Sequence, residues 1–197
     1  MFVIGNGESR VNVDVDKLNS PKVGCNAIHR DFFVDHLICV DRKMVRETID
    51  ANYNKTSLVY TRQDWIREFK RFPGVRELPQ LPYEGTQRWD DPFHWGSGPY
   101  AVLLGCLKTA DQTVRMLGFD LYGIDQKVNN VYKGSDNYNS KDSRPVDPRY
   151  WIAQIGKLFE IYNDTQFVVY QKQGWQLPKL WSRENVTVDR ISKLFKK

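Results

Sequence analysis

The sequence predicts a single α/β sandwich with a mainly parallel sheet, and three observations predict it. Short apolar runs of strand length alternate with stretches of helical spacing over residues 1–70 and again over 95–170. The first of these runs stops in Gly5-Asn6-Gly7 and a later one in Gly118-Phe119-Asp120, as chains do when they leave the carboxyl edge of a sheet. The 197 residues are 41% hydrophobic and 13% aromatic, which is enough to close one core and too apolar for disorder.

Met1–Ile4 reads as a buried strand that passes straight into Gly5-Asn6-Gly7-Glu8-Ser9. Gly5 and Gly7 have no Cβ and accept positive φ, so a phosphate or sugar can approach their N–H groups, and Asn6 presents an amide that both donates and accepts. The same residues also make an ordinary tight connection. The dinucleotide pattern is excluded because its third glycine falls on Arg10. Lys22–Ala27 reads as a second strand, with Asn26 at its end, and Asp35–Asp41 as a third with an apolar centre bounded by acids.

Met44, Val45, Thr48 and Ile49 suit a helix over 42–51. Thr56–Tyr60 is a β-branched and apolar strand, and Thr61 is a plausible N-cap for a helix through Trp65, Ile66 and Phe69. The stretch 72–93 breaks this rhythm with Pro73, Pro79, Pro82, Pro92 and Trp89, and is expected to be a long loop or lid. His94-Trp95-Gly96-Ser97-Gly98-Pro99-Tyr100 then leads into the apolar helix Ala101–Leu107. Ser97 is expected to cap that helix, and its free N–H groups make an anion site.

Thr113–Leu117 is a further strand, which ends in Gly118-Phe119-Asp120-Leu121-Tyr122-Gly123. Residues 124–146 are polar, contain no apolar run, and are expected to be a lid without apolar anchors or a surface excursion. Pro148 begins a helix whose buried face is Trp151, Ile152, Ile155, Leu158, Phe159 and Tyr162. Thr165–Tyr170 is a last strong strand.

A net charge of +5 and a pI near 9.0 suit an anionic ligand, including a nucleotide or an anionic membrane met peripherally. The basic residues are scattered through 62–76 and gather at Lys193, Lys196 and Lys197. With no arginine-rich arm and no aromatic RNA-binding signature, the sequence argues against a nucleic-acid module. No apolar run reaches the ~20 residues that span a bilayer, and a strand occupies the place of a signal peptide, so a cytoplasmic protein is expected. Cys25, Cys39 and Cys106 lie in apolar segments and read as reduced core residues. His29, His36 and His94 lack metal-ligand spacing, so no metal or cofactor is expected.

Gly-Asn-Gly-x-Ser after the first strand, Cys25-Asn26, Ser97-Gly98 opening a buried helix, and Gly118-x-Asp120-x-Tyr122 occur in the order and with the spacing of a known group. Over residues 1–30 and 95–170 the chain resembles bacterial lipooligosaccharide sialyltransferases. Their wider group includes uncharacterised proteins, phage-borne ones among them, and a relative with pterin pyrophosphokinase activity. The resemblance implies a Rossmann-like fold that uses a cytidine monophosphate sugar without a metal and transfers the sugar to a glycan or other hydroxyl acceptor. It implies that Asn6 and Asn26, with Gly5 and Gly7, hold the phosphate and sugar region. Ser97 and Gly98 would line the pocket, Asp120 would sit near the nucleotide, and Tyr122 would donate to the leaving phosphate. A second tyrosine of the loop does the same in the group; direct spacing gives Val128 here, so Tyr132 or Tyr138 must substitute.

One departure concerns the base. The group places a histidine shortly before the helix that follows the lid, and this chain has none after His94. Asp147 is a substitute only if its pKa is raised. His94, between Phe93 and Trp95, is the other candidate and equally reads as a packed residue. Two alternatives to glycosyl transfer follow: a nucleotide-binding protein that has lost the chemistry, or a metal-dependent pyrophosphoryl transferase built on Asp41, Asp120 and Asp125.

Overall fold

The computed structural model describes residues 1–195. Its elements are β1 (Phe2–Ile4), β2 (Lys22–Cys25), β3 (His36–Ile38), α1 (Arg42–Asp50), β4 (Leu58–Thr61), α2 (Gln63–Phe69), β5 (Val75–Glu77), α3 (Ser97–Lys108), β6 (Thr113–Leu117), α4 (Arg149–Ile161), β7 (Gln166–Gln171) and β8 (Val186–Arg190). Among the described residues the strands form one eight-stranded sheet in the order β5-β4-β3-β2-β1-β6-β7-β8. Every neighbouring pair is parallel, and the fold is a Rossmann-like α/β sandwich.

Parallel strands covered on both faces have little need of polar residues, and Val3, Ile4, Leu37, Ile38, Met116 and Leu117 are all fully buried. α3 lies across β1, β2, β3 and β6 and is buried nearly all round, which is why it is apolar all round. Its backbone comes so close to the sheet at Gly105 that a Cβ there would lie 2.6 Å from Val3 Cγ2. α4 packs beside α3, with the Phe159 ring tilted against that of Phe167 of β7, their centres 4.4 Å apart. The chain runs outward one way through α1 and α2 and the other way through α3 and α4, so right-handed crossovers put the two pairs on opposite faces.

Several sequence expectations are corrected. The stretch 72–93 contains β5, an edge strand whose single buried residue is Val75; Val75 and Leu78, three apart between Gly74 and Pro79, do not alternate as a strand pattern does. The sheet does not end near Tyr170, because β8 pairs with β7 beyond a turn that buries Trp181, whose indole donates to Ile152 O at 2.9 Å. Thr61 is the last residue of β4 rather than a cap, and Gly96 rather than Ser97 occupies the N-cap of α3. The stretch 124–146 does have anchors, since Val128 and Tyr132 are buried and Tyr138 is half-buried. Cys25, Cys39 and Cys106 are free and buried. Lys196 and Lys197 lie outside the described residues. Among the described residues no helix is long and apolar enough to cross a membrane.

Candidate functional site

The strand order reverses between β1 and β6, which is where open parallel sheets leave a crevice beyond their carboxyl ends. Its floor is made by two glycine loops held together through their backbones. The Gly5 N–H donates to Leu117 O and the Gly7 N–H to Gly118 O, both at 2.8 Å. A Cβ on Gly5 would lie 2.5 Å from Gly118 O, one on Gly118 would lie 2.6 Å from Gly5 O, and Gly118 sits at φ +75°. These glycines are therefore required by the approach of two backbones. The Glu8 N–H goes to Asn129 Oδ1 and the Ser9 N–H to Asp120 Oδ2, each at 2.8 Å. The loop amides expected to receive a phosphate are thus already engaged. Arg10, in place of the third glycine of a dinucleotide loop, donates to Gly5 O at 2.9 Å and to the Tyr132 hydroxyl at 2.8 Å.

Above this floor is a cleft of about 280 Å³. Asn26, Val40 and Asp41 line it together with Gly96–Pro99 and Trp151, and Asn129 and Asn130 overhang it. The amino end of α3 opens here with no side chain capping it. The first-turn amides of Ser97 and Gly98 have no intrahelical acceptor, and Pro99 has no N–H to satisfy. The Ser97 hydroxyl instead donates to Asn26 Oδ1 at 2.7 Å and accepts the Val40 N–H at 3.1 Å. Asn26 holds this position at φ +54°, a conformation its short polar side chain tolerates.

Asn6 supplies the second feature. Its Nδ2 is shared between Cys25 O at 3.4 Å and the Tyr138 hydroxyl at 3.2 Å, while its buried Oδ1 has no partner. A buried acceptor without a partner, on a residue that lines the cleft, is a polar group left for a ligand's N–H or O–H to satisfy. The cleft thus offers free donors at a helix amino end and an unpartnered acceptor on a residue of its floor.

No family model, curated protein or solved structure matches this chain.

Of the residues singled out in the sequence, Gly5, Asn6, Gly7, Asn26, Ser97, Gly98 and Asp120 line this one cleft. Asp120 is buried and occupied, bonding the Ser9 hydroxyl and the Gln171 amide as well as the Ser9 N–H, so it positions the first loop. Tyr122 borders an adjoining cavity of about 220 Å³ that shares Leu121, Asn129, Asn130 and Trp151 with the cleft. Tyr138 also borders that cavity and reaches the floor, its hydroxyl accepting from Asn6 Nδ2 and, at 3.3 Å, from the Ala27 N–H. Tyr132 borders neither cavity. Its hydroxyl donates to Asp31 Oδ2 at 2.6 Å and accepts from Arg10, and burial raises its pKa further.

The two candidate bases do not line the cleft. His94 sits on an outer turn, accepting from Arg88 Nε at 3.3 Å and packed edge-on against Phe93 and Tyr150. Asp147 is exposed and bonded by the Arg149 side chain, which holds its carboxyl below the usual range, opposite to the shift a base here needs. Asp125 also lies outside the cleft, and among the described residues no three His, Cys, Asp or Glu side chains gather as metal ligands. Burial pushes the Cys25 thiol up to about 12, so it stays protonated. The carboxylate in the cleft that is open to solvent is Asp41, just beyond β3.

Sequence reasoning treated Asp41 only as an acid bounding a strand and a member of a carboxylate cluster, and Trp151 only as part of a helix face. The missed signal for Asp41 is its place beyond a strand's carboxyl end, shared with Asn6, Asn26 and Asp120. Asn129 and Asn130 come from an irregular loop and carry no such signal. That loop is tied down by Glu47 of α1. Arg30 holds Glu47 with two bonds (2.5 and 2.8 Å), Asn137 donates to it at 2.8 Å, and the His29 ring lies 3.2 Å from it.

Proposed function

We propose that the cleft binds a nucleotide-activated sugar and that the protein transfers the glycosyl group to a hydroxyl acceptor. The observation that carries this reading is that the uncapped amino end of α3 and Asn6, whose Oδ1 has no partner, line one cleft at the reversal of strand order. Free helix amides suit a phosphate, and an unpartnered carboxamide oxygen suits a sugar or ribose hydroxyl. The preference for a cytidine monophosphate sugar comes from the motif resemblance.

In the transfer step the acceptor oxygen forms a bond to the anomeric carbon as the bond from that carbon to the phosphate oxygen breaks. The nucleoside monophosphate leaves with the electron pair. Its oxygens gain charge, which the Ser97 and Gly98 amides and the Tyr122 hydroxyl offset as donors fixed in advance. Asp41 accepts the acceptor's proton, being the solvent-open carboxylate of the cleft.

A thermal-shift panel of cytidine, uridine, guanosine and adenosine phosphates tests the binding. A nucleotide at 100 times its dissociation constant should add about 2.7 kcal/mol of stability. Release of cytidine monophosphate from its sugar conjugate tests the chemistry. No shift with any nucleotide would remove the reading. A shift without turnover would favour a nucleotide-binding protein that lacks the chemistry, a reading supported by the placement of His94 and Asp147 outside the cleft.

A further inference from the structure

A second and larger cavity, of about 950 Å³, opens beyond the carboxyl ends of β4 and β5, on the same sheet edge as the cleft. One wall is the start of α2, from Arg62 to Asp64; the other is the segment from Glu77 to Phe93. Its chemistry differs from that of the chain as a whole. Five carboxylates, Asp64, Glu77, Glu84, Asp90 and Asp91, line it against the two guanidinium groups of Arg62 and Arg88, although the chain carries +5.

Asp90 and Asp91 hold the segment's own turns, taking bonds from the Tyr83 hydroxyl and the Phe93 N–H. Glu77 and Glu84 are exposed and make no ion pair among the described residues. Phe93 is 60% exposed, with the Arg62 guanidinium 4.4 Å from its ring centre, and Arg62 Nε is buried without a partner.

The cavity adjoins the cleft. Pro99 lines one and Tyr100 the other, and Trp65, beneath Arg62, donates to Val40 O at 3.1 Å, the residue before Asp41.

We propose that this cavity is the acceptor site and that it takes a neutral, hydroxyl-rich glycan. The assignment rests on the glycosyl-transfer reading above. Open carboxylates accept bonds from neighbouring sugar hydroxyls, and an exposed aromatic ring packs against the C–H face of a sugar. The local excess of negative charge repels phosphorylated or carboxylated acceptors, and equally an anionic bilayer.

Saturation-transfer NMR with lactose and chitobiose, and with sialyllactose as the anionic counterpart, tests this on the full chain. The neutral sugars should receive saturation and sialyllactose should receive less. Phe93→Ala and the double variant Glu77→Gln/Glu84→Gln should each weaken the neutral response at least fivefold, with the nucleotide thermal shift unchanged. Absence of neutral-sugar saturation in a protein that still shifts with nucleotide overturns the acceptor assignment alone, as does equal binding by the cavity variants. A nucleotide shift that is itself absent overturns the reading on which the assignment rests.

Discussion

The Ser97 hydroxyl stands between Val40 and Asn26, accepting the N–H of one at 3.1 Å and donating to the carboxamide of the other at 2.7 Å. One oxygen thereby ties the start of α3 to the chain segments that follow β3 and β2. Ser97→Ala leaves the buried Val40 N–H without an acceptor, and the expected cost is about 1–3 kcal/mol. Urea denaturation should show a lower midpoint at unchanged slope. An unchanged midpoint would mean that the tie carries no stability.

Gly5 and Gly118 should be intolerant of any side chain, because a Cβ on either meets the other's carbonyl oxygen at 2.5 or 2.6 Å. Alanine at either position is expected to destabilise by about 1–3 kcal/mol through overpacking. Gly98→Ala is the comparison, since its Cβ would meet nothing closer than Phe119 Cε1 at 3.7 Å. Alanine in a helix gains roughly 0.5–1 kcal/mol over glycine, so that variant should be no less stable than the parent. Thermal melts of the three variants separate the two roles.

Tyr122 and Tyr138 should separate by readout. Tyr122→Phe removes an exposed hydroxyl and should leave the melting temperature unchanged, while turnover of a cytidine monophosphate sugar falls about tenfold to a thousandfold. Tyr138→Phe removes the acceptor of both Asn6 Nδ2 and the Ala27 N–H, so it should lower stability and nucleotide affinity together. Equal turnover by Tyr122→Phe and the parent would remove the proposed donor role.

Asp41→Asn should keep nucleotide affinity within about threefold while slowing transfer by about 10²–10⁴-fold, the usual span for a lost general base. Single-turnover measurement keeps chemistry apart from binding. Full activity in Asp41→Asn, together with loss in Asp147→Asn or His94→Ala, would return the role to those residues.

Acid should release the loop that overhangs the cleft. Burial alone would raise the Glu47 pKa, but the bonds from Arg30 and Asn137 outweigh it and hold the carboxyl below its ordinary value. A depressed folded pKa means that this stabilisation is fully present above the unfolded value, about 4.3, and is lost as pH falls through the folded one. Amides of residues 130–139 are therefore expected to lose protection below about pH 4 relative to those of β1 and β6. In Glu47→Gln the same amides should already exchange faster at pH 7. Equal protection in the two proteins would discount the tie.

The central half of the sheet was legible because each of its strands is an apolar run stopped by a polar or glycine edge, as at Ile4–Gly5 and Leu117–Gly118. β5 and β8 were illegible for the opposite reason: as edge strands they bury little, and Val186–Arg190 holds two valines, of which only Val186 is buried, before it ends in Asp189-Arg190. The site residues fixed by strand ends, Asn6, Asn26 and Asp120, were legible by position. Their engagements were not, since nothing in Gly5-Asn6-Gly7 announces that its amides bond the loop after β6. The choice between Tyr132 and Tyr138 depended on how an irregular loop folds back on Arg10 and Asn6, contacts that span more than a hundred residues.

The meeting of Gly5 with Gly118 has a consequence for how this architecture diversifies. Where the floor is made of main-chain bonds between Gly5–Gly7 and Leu117–Gly118 it has no side chain to vary, so what it reads of the ligand comes from Asn6. The rest of the specificity is then written in two excursions, residues 122–147 over the floor and residues 77–93 around the adjoining cavity. Exchanging those segments between chains that share this floor should transplant ligand choice as a unit and leave the sheet's stability with the host.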